Sequence, residues 1–153
     1  MVDGWANQVT DILSNADPAT AAREVALRRK ILKALHDEGA VILMGTDAPQ
    51  LFSVPGFSLH RELVIMADAG LTPFEILRTG TVNVAEHMGT ANEAGTIAVG
   101  KRADLVLLDA NPLQNIANAQ RIAGVMWNGR WLPQSQIQAR LDAIAARWAA
   151  VEN

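Results

Sequence analysis

Asp47 is the residue of this sequence best placed to do chemistry, because it follows at once on Ala40–Met44, an unbroken apolar run held between Gly39 and Gly45. Such a run predicts a short strand with both faces buried, the usual state of a strand in a parallel sheet. The carboxyl ends of such strands are where α/β folds, and closed barrels in particular, gather their functional groups. A carboxylate in that position can ligate a divalent cation and accept a proton from the water bound to it. The same Thr-Asp-Ala-Pro context also suits a turn or a helix cap. Residue type alone leaves the two readings even; position favours the chemical one.

Three histidines could join it: His36, His60 and His87. No two of them stand at a spacing that puts both imidazoles on one metal. His36 ends the helix before the strand and Asp47 lies past the strand's far end, so roughly 20 Å of extended chain separates them. His87 falls near the end of a short helix, where a partly protonated imidazole suits the helix dipole. His60 is different, since it falls in the first turn of the helix after the Asp47 loop and is the candidate for a substrate contact. With no cysteine in the chain, disulfides, thiolate metal sites and a cysteine nucleophile are excluded. A phosphate-cradling Gly-Lys-Ser/Thr loop, a Gly-x-Ser-x-Gly elbow and a His-Glu-x-x-His pair are absent as well.

The elements that must position these residues are well punctuated. Trp5, Val9, Ile12 and Leu13 fall at helical spacing near the start. Asp17-Pro18 then reads as an N-cap with proline in the first turn, and Gly39 as a stop, which predicts a helix over about 18–38. Its expected buried stripe is Leu27, Ile31, Ala34 and Leu35, with Arg28, Arg29, Lys33 and Glu38 in water. The loop after Pro49 carries Phe52, Pro55, Gly56 and Phe57, and lies where a substrate-facing loop would. Ser58 can cap the next helix, with Leu59, Leu63, Met66 and Ala67 inward and Gly70 at its end. Thr72-Pro73-Phe74-Glu75 matches a capping box, and a further short helix through Val84 and Ala85 stops at Gly89.

From Gly95 onward the pattern turns to β. Thr96–Val99, Leu105–Leu108 and Ile122–Trp127 read as short strands, and Asn128-Gly129 as a tight I′ hairpin turn. Ser135 and Gln138 predict a capping box for a last helix whose stripe is Ile137, Leu141, Ile144, Ala145 and Trp148. A boundary is expected near residues 90–95.

Composition narrows the class of function. The chain has 153 residues, half of them hydrophobic and 19% charged, which is ordinary for a globular protein. A formal net charge of −3 gives no general attraction for nucleic acid or anionic membrane. No stretch has the ~18 apolar residues of a membrane span and the first twenty lack a secretory pattern, so a cytoplasmic location is expected.

Taken in order, Gly45-Thr46-Asp47-Ala48-Pro49, Ser58-Leu59-His60-Arg61-Glu62-Leu63, Ala69-Gly70-Leu71-Thr72-Pro73, Gly95-Thr96-Ile97, Gly100-Lys101-Arg102-Ala103-Asp104-Leu105-Val106 and Asn111-Pro112-Leu113 form a linked set of motifs. The set resembles the C-terminal part of the metal-dependent amidohydrolase superfamily, nearest the branch of imidazolonepropionases and dipeptidases that cleave Xaa-Pro or Xaa-Arg bonds. The resemblance implies an α/β fold: the last β/α repeat of a (β/α)8 barrel with its following helices (1–93), an incomplete part of a small composite β-sandwich (94–133) and a C-terminal helix (134–153). It implies that Asp47 is both a metal ligand and the general base.

The family's remaining ligands are a His-x-His pair, a carboxylated Lys or a Glu, and two further histidines, and none of these is present. A divalent metal, expected to be zinc, would therefore belong to the complete enzyme, with none on this chain alone. The expected partners are a small amide or dipeptide substrate and the missing N-terminal barrel portion; a homo-oligomer stays open. The chain is expected to be an inactive fragment of a hydrolase of carbon–nitrogen bonds. The competing expectation is a noncatalytic domain that binds another chain through unpaired strands and apolar helix faces.

Overall fold

The computed structural model describes residues 2–50 and 52–150. Two helices come first, α1 (Val2–Asn15) and α2 (Pro18–Asp37), followed after a long extended and looped segment by α3 (Ser58–Asp68), α4 (Pro73–Thr79) and α5 (Val82–His87). A three-stranded antiparallel sheet, β1 (Leu105–Leu108), β2 (Ile122–Trp127) and β3 (Arg130–Pro133), comes next, with a short 3-10 helix (Ile116–Gln120) between its first two strands. The helix α6 (Gln134–Ala149) follows. Of the stripe expected near the start, Val9 and Ile12 lie on α1, while the side chains of Trp5 and Leu13 fall outside the described residues.

Several local signals act as their chemistry requires. The Asp17 carboxylate caps α2, accepting from the Ala19 and Thr20 amides at 3.3 and 3.0 Å, and Gly39 leaves the helix at φ 82°. The capping box of α4 is complete: the Thr72 amide donates to Glu75 at 2.7 Å and the Glu75 amide to the Thr72 hydroxyl at 3.3 Å. In the hairpin, Asn128 and Gly129 both take positive φ, 48° and 77°, as a I′ turn demands. That turn sets Val125 opposite Leu132 and Trp127 opposite Arg130.

Two other caps do not form. Ser58 lies inside the first turn of α3 and its hydroxyl accepts from the Val54 amide at 2.7 Å, so Phe57 takes the cap position without a side-chain bond. Ser135 likewise falls inside α6, which starts after Pro133, and Gln138 donates to Asp142 at 2.7 Å instead of closing a box. The expected strand at Thr96–Val99 is a loop with Ile97 and Val99 exposed. Lys101 explains the difference, because its ammonium gathers the Ala91 carbonyl (2.6 Å) and the Thr96 hydroxyl (2.5 Å) and folds the segment back on itself.

The core is small and sits among α3, α4 and the 3-10 helix. Leu63, Met66, Leu71, Ile76 and Ile116 form it, with Ile76 completely enclosed. Leu59, expected to face inward with Leu63 and Met66, stays exposed. The stripe expected to bury α2 also stays open, with Leu27 58%, Ile31 49% and Leu35 49% exposed. The face that α2 turns toward α3 and α4 instead carries Leu32, Arg29 and His36: Arg29 pairs with Asp68 at 2.7 Å and His36 with Glu75 at 3.1 Å. Polar ties thus orient α2 here and leave its apolar stripe outward. In α6, Leu141, Ile144 and Trp148 are exposed in the same way.

The run Ala40–Met44 is extended but pairs with no strand among the described residues, and Val41 is 68% exposed. Helices hold it instead. The Met44 amide donates to the Thr79 carbonyl at 3.1 Å, the Asn83 side chain donates to the Ile42 carbonyl at 3.0 Å, and the Gly45 amide donates to Glu62 Oε1 at 3.2 Å. Gly80 makes room for this docking, since a Cβ there would stand 2.1 Å from the Met44 methyl.

Two outcomes follow from these ties. Glu75 is pulled down to about 2, first by the Thr72 amide, then by the Thr72 hydroxyl, then by His36. A lowered folded pKa adds stability that is complete above the ordinary value of 4.5 and is lost as pH falls toward 2. The melting temperature should therefore drop across that window, and Glu75→Gln should remove this part of the drop; identical pH profiles would contradict the assignment. Glu62→Ala should speed hydrogen exchange of the Gly45 amide by roughly tenfold, the equivalent of one net hydrogen bond of about 1–1.5 kcal/mol. Unchanged exchange would show that Glu62 does not hold the run.

Candidate functional site

The site begins where the extended run ends. Asp47 takes φ 52°, in the left-handed region that aspartate tolerates better than most residues. No helix begins behind it before Ser58, so its side chain is free of capping work. The carboxylate is exposed, and the Gln50 side-chain amide donates to its Oδ2. Asp47 thus caps no helix and presents its carboxylate to solvent.

The loop behind Asp47 is tightly closed. Gln50 and Ser53 exchange backbone hydrogen bonds at 3.2 and 2.9 Å, and the Ser53 hydroxyl donates to the Thr46 carbonyl at 3.1 Å. A hollow of about 250 Å³ opens beside it, lined by Thr46, Phe52, Ser53, Ser58, Arg61, Glu62 and Ile65. Thr46, the residue before Asp47, belongs to its wall. A larger groove of about 580 Å³ runs between Phe74, Leu77, Val82 and Leu113, but carries neither a carboxylate nor an imidazole. The smaller hollow is the one next to the chemistry.

His60 lies in the first turn of α3, half-buried, with an enclosed Nδ1 that has no hydrogen-bond partner. It is not part of the wall of the hollow. His36 is engaged by Glu75, at the other end of the extended run from Asp47. Glu62 and Arg61 are the residues that sequence reasoning passed over. Their signal was helical spacing, because Ser58, Arg61, Glu62 and Ile65 recur at intervals of three and four and so share the face that borders the loop.

The metal implied by the resemblance can be tested against the donors present. Among the described residues no three His, Asp or Glu side chains converge closely enough to hold an ion. A catalytic ion generally needs three protein ligands. Asp47 with its Gln50 partner does not fit a metal by itself. Among the described residues no helix is long and apolar enough to cross a membrane.

Over 109 residues the chain is 34% identical to an imidazolonepropionase of Rubrobacter xylanophilus, covering 66% of this chain and 25% of that protein. A solved structure, the bottromycin amidohydrolase AH, superposes with a TM-score of 0.71 at 31% identity over 86% of this chain and 29% of its own. A Xaa-Pro dipeptidase structure matches with a TM-score of 0.62 at 23% identity, over 69% of this chain and 25% of its own, and speaks for the fold alone. The chain thus spans about a quarter of the length of the curated relatives it matches. Residues 12–132, which include the extended run, Asp47, the hollow and all but the last residue of the sheet, match the sequence pattern of the Amidohydrolase family, and the chain belongs to that family.

Proposed function

We propose that this chain is the C-terminal part of a metal-dependent amidohydrolase that hydrolyses an amide or other carbon–nitrogen bond, with a dipeptide or cyclic amide as the type of substrate. One observation carries the reading. Within the stretch that matches the family, an exposed carboxylate, Asp47, stands in a left-handed backbone conformation just after an apolar extended run and beside a hollow.

In this reading Ala40–Met44 is the last strand of a (β/α)8 barrel, and the backbone of Val41 and Leu43, which makes no hydrogen bond among the described residues, is where a neighbouring strand attaches. The sheet β1–β3 is part of a small composite β-sandwich. Asp47 takes a proton from the attacking water and returns it to the leaving nitrogen, a role suited to a carboxylate that can exchange protons with solvent. Gln50 holds that carboxylate in place. His60 contributes a substrate contact from the first turn of the helix that follows the Asp47 loop. A divalent ion, expected to be zinc, would draw its remaining ligands from outside the described residues, with Asp47 as one ligand among them. The chain alone is then inactive.

A second reading is favoured by the outward stripe of Leu27, Ile31 and Leu35. There the chain is a noncatalytic domain that binds another polypeptide through that stripe and the unpaired run. The two differ in what Asp47 does. A chimera in which residues 12–132 replace the matching segment of the Rubrobacter xylanophilus relative should retain hydrolase turnover, and Asp47→Asn in it should lower kcat by roughly 10²–10⁴-fold. Turnover that is indifferent to Asp47→Asn would refute the catalytic role and leave the binding role.

A further inference from the structure

The groove of about 580 Å³ shares no lining residue with the hollow beside Asp47. Its walls are apolar, with Phe74 and Leu77 from α4, Val82 from α5 and Leu113 from the turn after β1. The polar atoms among them are mostly engaged already. The Thr81 hydroxyl donates to the Leu77 carbonyl at 2.7 Å, the Thr96 hydroxyl accepts from Lys101 at 2.5 Å, and Asn111 Oδ1 accepts from the Leu113 amide at 2.9 Å. Two donors are left over. The Arg78 guanidinium makes no ion pair or hydrogen bond among the described residues, and neither does the side-chain NH2 of Asn111.

Among the described residues that line the groove Arg78 alone carries charge, so the groove complements one negative charge on an otherwise apolar body. A polypeptide does not suit it. Each residue of a peptide brings an N–H and a C=O that need partners once water is excluded, and none of the lining residues belongs to a strand whose edge could serve them. A hydrocarbon chain or an aryl group makes no such demand, and the volume falls in the range of small-molecule sites. Phe74 and Leu113, 60% and 53% exposed, leave apolar surface for it to cover. The anion is best matched by a carboxylate, whose single charge balances one guanidinium and whose two oxygens fit its planar fork. A phosphate monoester carries nearly two charges and exceeds what Arg78 can neutralise.

We infer that this groove is a binding site for a small amphipathic monocarboxylate, such as a medium-chain fatty acid, with Arg78 receiving the carboxylate and Asn111 offering a second donor. The site is separate from Asp47 and does not depend on the hydrolase reading. Its walls come from α4 and α5 on the one hand and from the turn after β1 on the other. An occupant therefore ties the helical part of the chain to the part that carries the sheet.

The test is a titration of the isotope-labelled full chain with octanoate, kept below its micelle concentration and followed by NMR at the amides of Leu77, Arg78, Val82 and Leu113. These amides should shift together at millimolar concentration. Decanoate should bind roughly tenfold more tightly, since two further CH2 groups leave water. Octan-1-ol, which has the chain without the charge, should bind several-fold more weakly, and octyl phosphate no more tightly than octanoate. Arg78→Met, a change at an exposed position, should bring octanoate down to the affinity of octan-1-ol without weakening octan-1-ol itself. Asp47→Asn should bind octanoate as the parent chain does. Shifts confined to other surfaces such as the Leu27–Ile31–Leu35 stripe, equal binding of octan-1-ol, tighter binding of octyl phosphate, or a preference for octanoate that survives Arg78→Met would overturn the site. Shifts of the same amides on dilution without ligand would overturn it too, because they mark a second copy of the chain seated in the groove.

Discussion

An extended segment with no sheet around it has to satisfy its backbone by other means, and that constraint shapes the site of this protein. Buried amides and carbonyls without partners are costly, so Ala40–Gly45 is ordered only as far as helices can serve it. Thr79, Asn83 and Glu62 do so, from the end of α4, from α5 and from α3. The Ala40 amide is tied as well, to the Leu35 carbonyl of α2 at 2.9 Å, so the run is held at both ends, including the one that presents Thr46 and Asp47.

The same constraint explains why so much apolar surface faces outward. An extended run held by helices through a few hydrogen bonds does not also cover α2, and the Leu27–Ile31–Leu35 stripe stays exposed. The core that does form, around Ile76, belongs to α3, α4 and the 3-10 helix and holds only a handful of enclosed side chains. Small cores of this kind stabilise a chain weakly. Polar ties such as Arg29–Asp68 and His36–Glu75 consequently do much of the orienting between helices, at exposed positions where each contributes little alone.

Legibility in the sequence followed the range of the interaction. Asp17-Pro18, Thr72–Glu75, Gly39 and Asn128-Gly129 were readable because each acts within a few residues, through one hydrogen bond or one φ angle. Ser58 and Ser135 carried the same kind of signal and missed, since Val54 captured the first hydroxyl and Asp142 drew off Gln138 at the second. The strand at Thr96–Val99 and the buried stripes of α2 and α6 failed for a longer-range reason: periodicity marks a face as apolar without naming what will cover it. For Asp47, what was legible is its exposed place past the end of the apolar run. Arg61 and Glu62 were passed over, because helical spacing marks the face that borders the loop without saying that Glu62 will hold the Gly45 amide there.

The account holds that the described residues of this chain, Asp47 among them, bring too few donors together to hold a metal ion. Metal content measured by native mass spectrometry, on the chain equilibrated with zinc and then desalted, tests this most directly. The account predicts no ion retained in fixed proportion to the chain. One ion held per chain would contradict it.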